Sequence, residues 1–486
     1  MFSIRIILFS VFSLLAFGCS VGPKYVKPTV QIPKVYKESA DWSSNRTLGP
    51  QTGHSQELAG AWKKAQPQDA IIRGAWWKIF NDPRLDALED QVNISNQNIA
   101  IAQAQYAQSY ALVQAARSSV FPILSTTGSY ARSHTGTTSA NAKTTSQYLL
   151  SADVSWELDL WGKIRKTIEA NSANAQASAA DLENARLSAQ AQLAQDYFQL
   201  CSLDAQKKLL DDTDAIYQKF LTLTKNRYAG GVAAQSDVLQ AQTQIEMIEA
   251  QSIDIGVQRS QLEHAIAVLI GKPASDFSIP SLTLAATIPA VPIGLPSEIL
   301  ERRPDIAAAE RTVAAANAQI GVAKSAYYPT LILSASGSDQ GVNLARVFSS
   351  PNPLWSVGPA LAETIFDAGL RQAQNAQARA VYDVDVATYR QTVLTAFGQV
   401  EDNLAALHIL EQEAQVQGAA VKDAQKAVEL ETNQYKAGTV SALDVINIQA
   451  TALADEKTAV TILGQRLNAC VLLIEYLGGG WASPKQ

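Results

Sequence analysis

Residues 116–129 read ARSSVFPILSTTGS, and residues 323–338 read AKSAYYPTLILSASGS. Both leave an alanine-rich run through a proline and enter Ser/Thr-rich alternation. The prolines, Pro122 and Pro329, lie 329 − 122 = 207 positions apart. The same shift pairs Ala116 with Ala323, Gly162 with Gly369, Tyr228 with Tyr435, Gly231 with Gly438, Asp237 with Asp444 and Gly271 with Gly478. One constant shift over about 150 residues marks a tandem duplication, whose unit of about 200 residues is too long for a solenoid repeat.

Each copy reads helix, strand pair, very long helix, turn, helix. In the first, the pattern predicts a helix over 84–118, strands near 120–131 and 147–159, a helix over 163–228, a turn at 229–235 and a helix to about 270. In the second it predicts a helix over 297–326, strands near 329–338 and 354–366, and helices over 369–435 and 441–476. No proline interrupts either long run. At 1.5 Å per residue, about 60 residues make a helix roughly 90 Å long, about three times the hydrocarbon thickness of a bilayer. Such a helix cannot wrap a globular core and needs partners along its length, as in a coiled coil or helical barrel.

The strands carry a second message. In YLLSADVSWEL (148–158), Tyr148, Leu150, Ala152, Val154, Trp156 and Leu158 share one face, and Leu149, Ser151, Asp153, Ser155 and Glu157 share the other. That alternation, with aromatics near its ends, suits a membrane strand; a half-buried strand of a soluble sheet has the same period. The second copy is weaker, with Glu363 expected on the face that Val357 and Leu361 define. Four strands cannot close a barrel, and an open edge is not tolerated in lipid. If the strands are in a membrane, several chains share one barrel; three copies give 12 strands and room for a lumen.

The N-terminus reads as an export signal. Arg5 precedes the apolar stretch Ile6 to Phe17, too short for a membrane span, and the segment ends Gly18-Cys19. A small residue before a lone cysteine points to lipoprotein processing, with Cys19 acylated and the mature chain starting there; an ordinary signal peptide ending near a cysteine is the alternative. Ser20 after the cysteine fits outer-membrane sorting. Cys201 and Cys470 sit in helical stretches, and free buried thiols fit better than a disulfide. No later segment offers about 18 uninterrupted apolar residues. Charged residues are only 17% and the formal charge is −6, without Lys/Arg clusters, so a nucleic-acid partner is excluded. His54, His134, His264 and His408 stand apart from one another and from cysteine, and there is no phosphate-binding loop or dinucleotide fingerprint. No enzyme, metal or cofactor is therefore expected beyond a covalent lipid, such as palmitate, on Cys19.

The string LPSEILERRPDIAAAERTVAAANAQIGVAKSAYYPTL (295–331) resembles the signature segment of TolC-type outer-membrane efflux ducts, in the lipoprotein branch paired with resistance-nodulation-division pumps. So do GCSVGPKYVKP (18–28), WWKIFNDPRLDAL (76–88), WELDLWGKIR (156–165), IFDAGLR (365–371) and YLGGGW (476–481). The resemblance implies a mainly α fold with membrane β. It implies a homotrimer in which a 12-stranded barrel in outer-membrane lipid, four strands per chain, is continued by an α-helical barrel. The expected division is signal peptide 1–18, N-terminal linker and equatorial segment 19–83, first repeat 84–270, inter-repeat linker 271–296, second repeat 297–476 and C-terminal tail 477–486. The implied partners are a periplasmic membrane-fusion adaptor and a proton-driven inner-membrane pump. A type I protein-secretion duct and a pore-less lipid-tethered periplasmic scaffold are the alternatives.

The turns YAGGVAAQSD (228–237) and YKAGTVSALD (435–444) are the functional candidates. Gly231 and Gly438 permit the positive φ that a helix reversal often needs. Ser441 with Asp444 makes a capping box; in the first copy Ala234 replaces that serine and Ser236 is expected to cap. The resemblance implies a periplasmic gate built from Tyr228, Asp237, Tyr435, Asp444 and Asn447, with Tyr435 linked to Asp237. Val440 stands where the family carries an arginine, and Asn447 where it carries a second acid. The gate is then expected to rest on hydrogen bonds and packing, and Tyr435→Phe with Asp237→Ala is expected to leak. Arg227, Gly231, Val232, Gly438, Thr439 and Ser441 are the expected adaptor-docking tips.

Overall fold

The fold, a computed structural model, describes residues 20–33, 35–38, 74–135, 143–284, 287–291, 299–300, 302–343 and 354–479. The signal peptide, Cys19 and residues 480–486 lie outside the described residues, as do parts of the N-terminal segment and the inter-repeat linker. The elements are α1 (Pro83–Ser95), α2 (Gln97–Ser118), β1 (Ile123–Thr135), β2 (Lys143–Leu158), α3 (Lys163–Ala229), α4 (Gln235–Leu269), α5 (Pro304–Ser325), β3 (Thr330–Gly341), β4 (Leu354–Ala362), α6 (Leu370–Ala437) and α7 (Ala442–Tyr476). The unbroken α3 and α6 have 67 and 68 residues.

The helix expected over 84–118 is two helices. Asn96 leaves the helical region at ψ 124°, and its Oδ1 accepts the amides of Asn98 (2.9 Å) and Ile99 (3.1 Å), capping α2. Its Nδ2 donates to the Leu269 carbonyl at 2.7 Å, which fixes the break against the end of α4. In the second copy residues 299, 300 and 302 are already helical, and after a break at Arg303 a second helix starts at Pro304, since proline favours the first helical position.

The chain divides into two compact units, each drawing on both copies. The first holds the sheet, in order β1-β2-β3-β4 and antiparallel throughout. Its register gathers an apolar band across all four strands, interrupted by Asp339 opposite Leu150 and giving way to Arg132 and His134 toward the end of β1. Val154 faces Leu124 on one side and Ala335 on the other, and Ala335 faces Val357. Leu158, Leu331 and Leu361 make a second such row. Tyr130 and Tyr148 stack at 4.7 Å at one end of this face, and Trp156 stands at the other, donating its Nε1 hydrogen to the Val120 carbonyl at 2.9 Å. The opposite face carries Ser125, Thr127, Ser129, Ser151, Asp153, Ser334, Ser336 and Ser356. Glu363 lies past the end of β4, so the acid expected on the apolar face is not part of it. Pro359 sits within β4, opposite Leu333 of β3. Among the described residues both outer edges, on β1 and β4, are unpaired.

The N-terminal segment runs against this unit. Val21 donates its amide to the Trp161 carbonyl at 3.0 Å, just past β2. Gly22, at φ +144°, packs so closely on α5 that a Cβ there would stand 2.8 Å from Gly321 Cα. The Tyr25 hydroxyl then bonds the Glu310 carboxylate.

The second unit is held by a helical core in which Leu210, Tyr217 and Phe220 of α3 meet Ile245 and Ile248 of α4 and Tyr435, Val445 and Ile446 at the second hairpin. Helix α7 is long and apolar enough to cross a bilayer, but Leu467, Cys470, Val471, Leu473 and Ile474 are buried within the chain. Arg303 is buried, bonds both Asp305 oxygens at 3.0 and 2.6 Å, and reaches the Tyr476 carbonyl (3.2 Å) and Gln399 Oε1 (2.9 Å). The inter-repeat linker is tied down by Arg259, which binds Asp204 at 2.7 Å and the Ile279 carbonyl at 2.7 Å.

Candidate functional site

The two helical hairpins turn by the same device. Gly231 and Gly438 take φ of +75° and +83°, and the amides that follow return to the last carbonyls of the helix. Val232 bonds the Arg227 carbonyl at 2.9 Å, and Thr439 bonds the Gln434 carbonyl at 3.1 Å. The helices that leave the turns start differently. Ser441 caps α7, its Oγ accepting the Asp444 amide at 3.3 Å while Asp444 Oδ2 accepts the Ser441 amide (3.0 Å) and hydroxyl (2.7 Å). Those hydrogen bonds from Ser441 hold the Asp444 carboxyl below the usual range. At α4 the cap is Ala234, not Ser236. Only half the box forms, with Asp237 Oδ2 accepting the Ala234 amide at 3.3 Å and Oδ1 the Ser236 hydroxyl at 3.4 Å. The extended backbone of Ala234, at φ −83° and ψ 155°, makes it the boundary residue, and Ser236 already lies inside the helix.

The equivalent tyrosines have opposite surroundings. Tyr228 is 47% exposed, whereas Tyr435 is 2% exposed, its ring 5.1 Å from Phe220 and its hydroxyl 3.3 Å from Thr224 Oγ1. Within the chain Tyr435 therefore bonds Thr224 and not Asp237, whose oxygens serve the α4 N-terminus. The Tyr435–Asp237 link expected between hairpins is not made within this single chain, where Tyr435 turns toward α3. Asn447 is exposed, and Val440 is half-buried against the core.

Gly231, Val232, Gly438, Thr439 and Ser441 are exposed at the turns, as tips would be. Arg227 is not. It is half-buried, its guanidinium lies 4.5 Å from the centre of the Tyr435 ring, and its Nη1 donates to the Tyr435 carbonyl. Phe220, Thr224 and Arg227, spaced four and three apart, share one face of α3. That spacing was readable in the sequence; what faces it was not.

Away from the turns, the described residues hold no group of three or more His, Cys, Asp or Glu side chains that could take a metal. Cys201 and Cys470 are buried free thiols, and burial pushes both up to about 12.

The family described as outer membrane efflux protein matches residues 88–272 and again 295–479. The second match begins 295 − 88 = 207 residues after the first, the shift already found within the sequence. The probable efflux pump outer membrane protein TtgC of Pseudomonas putida is 30% identical over 478 residues, covering 96% of this chain and 93% of that protein. The pyoverdine export outer membrane protein OpmQ of Pseudomonas aeruginosa is 31% identical over 435 residues, covering 86% and 90%. Among solved structures, the outer-membrane channel OprN is 26% identical with a TM-score of 0.84, over 95% of this chain and all of that one. The open state of the Neisseria gonorrhoeae MtrE outer membrane channel is 25% identical with a TM-score of 0.74, over 95% and 98%.

Proposed function

The chain belongs to the outer membrane efflux protein family, and on that premise we propose that three copies form the exit duct of a tripartite pump that carries small molecules out through the outer membrane. The observation that carries the reading is the sheet. One face carries an apolar band across four strands, the other is lined mainly by serine and threonine, and among the described residues both edges are unpaired. Hydrocarbon on one side and water on the other fit those faces. Unpaired edges in lipid demand closure by further chains, and three chains supply the 12 strands that leave a lumen.

The N-terminal segment supports a lipid on Cys19. Ser20 and Val21 lie beside Trp161, where β2 ends and α3 begins, and Trp161 stacks on Tyr328 at 4.8 Å beside the start of β3. An acyl chain one residue earlier would start at the foot of the strands, where the inner leaflet's surface meets them. The exposed turns, Gly231 and Val232 on one hairpin and Gly438, Thr439 and Ser441 on the other, give six tips per trimer for a periplasmic adaptor ring. Asp237 and Asp444, with Asn447 exposed beside the latter, would ring the periplasmic mouth. Energy would come from a proton-driven inner-membrane partner; the duct itself makes and breaks no bond. Relatives are named for toluene efflux and for pyoverdine export, cargoes of very different size and polarity. Cargo choice therefore belongs to the pump rather than to the tube.

The test is accumulation of a fluorescent pump substrate in cells lacking the gene, complemented with wild type or Cys19→Ala. Loss should raise accumulation, wild type should reverse it, and Cys19→Ala should reverse it less fully. Unchanged accumulation together with the loss of an exported protein from the medium would make the duct a secretion channel.

A further inference from the structure

We propose that Arg132 and His134 of β1 form a binding site for the phosphate-bearing headgroups of the lipid leaflet that faces the outside, one site per chain. The inference rests on the duct reading above, which puts the apolar band in hydrocarbon and the helices on the periplasmic side. Directly paired residues share a face, so the register decides which side of the sheet each one serves. Tyr130 faces Tyr148, Arg132 faces Ser146 and His134 faces Thr144, in the same alternation that places Leu150 and Val154. Arg132 and His134 therefore stand on the apolar side of the sheet. They lie beyond its tyrosine pair, at the end of β1 remote from the helices.

Height decides what they meet. Tyr148 to Leu158 is 158 − 148 = 10 steps along β2. At about 3.4 Å per residue and a tilt of about 40°, that stretch rises about 26 Å, close to the roughly 25 Å apolar band of an outer-membrane barrel. On β1 itself Arg132 and His134 come two and four residues after Tyr130, about 5 and 10 Å further out by the same geometry. The headgroup layer occupies about 5–7 Å on each side of the hydrocarbon. Arg132 starts within that layer and His134 at its outer limit.

The two side chains have the chemistry for a phosphate. Arg132 is exposed and makes no hydrogen bond or ion pair among the described residues. Its planar guanidinium can grip two phosphate oxygens at once. His134 Nδ1 shares a hydrogen bond with Thr144 Oγ1 at 2.9 Å, which fixes the ring and leaves Nε2 unengaged. With the Thr144 hydroxyl donating to Nδ1, the neutral ring carries its hydrogen on Nε2 and presents a further donor. Alternate residues of a strand lie about 7 Å apart, so one phosphate can bridge the pair. The duplication limits the number of sites. The second-copy equivalent of Arg132, 339 − 132 = 207 positions on, is Asp339, and that of His134 is Gly341. Asp339 shares the face, opposite Leu150, but lies two strands away and about 16 Å from Arg132 on the sheet lattice, too far for an ion pair. The second copy presents no cation, so a trimer has three sites and not six.

The test is native mass spectrometry of the purified full-length trimer, with lipid A, a glucosamine lipid bearing two phosphates, as the probe. Wild type should retain up to three lipid A molecules and release them severalfold more readily when the probe lacks its phosphates. Arg132→Ala should weaken retention severalfold, and Arg132→Ala with His134→Ala should abolish it. Arg132→Ser with Ser133→Arg keeps the charge but moves it to the opposite face, and should not restore binding. Should Arg132→Ala fail to assemble, Arg132→Gln carries the test, keeping the length and losing the charge. Equal retention by wild type and the double variant, or by wild type with and without the lipid's phosphates, would overturn the site. Displacement of lipid A by millimolar inorganic phosphate would also overturn it, in favour of a free-anion site. A wild-type protein that forms no pore in planar bilayers would overturn the duct; a conducting trimer that ignores lipid A overturns the headgroup site alone.

Discussion

Glu89 on α1 is fully buried, and neither of its carboxylate oxygens has a hydrogen-bond partner among the described residues. Burial first, then the nearby charges of Asp90 and Asp86, hold its carboxyl well above the usual range. The folded chain thus keeps a proton that the unfolded chain gives up near the ordinary carboxylate value of 4.5. The site therefore costs stability as pH rises above that value, and the cost stops growing once pH passes the folded value. Glu89→Gln, which cannot ionise, should melt higher than wild type at pH 8, by on the order of 1 kcal/mol or about 2 °C, with the difference vanishing at pH 4 in circular-dichroism melts. Nothing in the sequence around Glu89 announced this, because burial of a helix-face acid depends on what packs over it. Arg227 teaches the same lesson from the other side. An arginine next to a turn reads as a solvated tip, and only the fold shows the buried ring it covers. Asp444 was legible because a capping box is a local motif within four residues.

Among the elements, the long helices were readable to within two residues at their ends, since no proline interrupts them and the turn glycines mark where they stop. The break at Asn96 was missed because its decisive partner, the Leu269 carbonyl, lies 173 residues away in sequence. Within the signature segment 295–331, the geometry around Arg303 gives a physical reason for the ERRPD string. Arg303 joins the start of α5 through Asp305, the end of α7 through the Tyr476 carbonyl and the side of α6 through Gln399. One buried guanidinium thus ties together three helices. Arg303→Met would leave Asp305 and that carbonyl without their donor, and should cost about 3 kcal/mol. The check is the chemical-denaturation midpoint of Arg303→Met against Arg311→Met, a substitution on the same helix outside this triple junction.

At the level of the whole molecule, the duplication was the most readable fact and the sheet pairing the least. The alternation of β2 gave two faces, but the pairing of β2 with β3, which joins the copies into one sheet, was not deducible from either copy alone. The face assignment makes a sharp prediction. A lysine at Val154, on the apolar face, should oppose insertion by about 2–4 kcal/mol per chain near the bilayer midplane. A lysine at Ser151, on the opposite face, should leave insertion unchanged and alter ion selectivity instead. Membrane fractionation of Val154→Lys and Ser151→Lys, followed by reversal potentials for the latter, separates the two outcomes.

The unpaired edges of β1 and β4 have a genetic consequence. In the proposed trimer those edges pair between chains, so one gene's product is never its own functional unit and a faulty subunit harms the sound ones it joins. In a cell making equal amounts of normal and defective chains that mix at random, only about one trimer in eight is wholly normal. Alleles that assemble yet fail should therefore be dominant, whereas alleles that abolish the strands should be recessive.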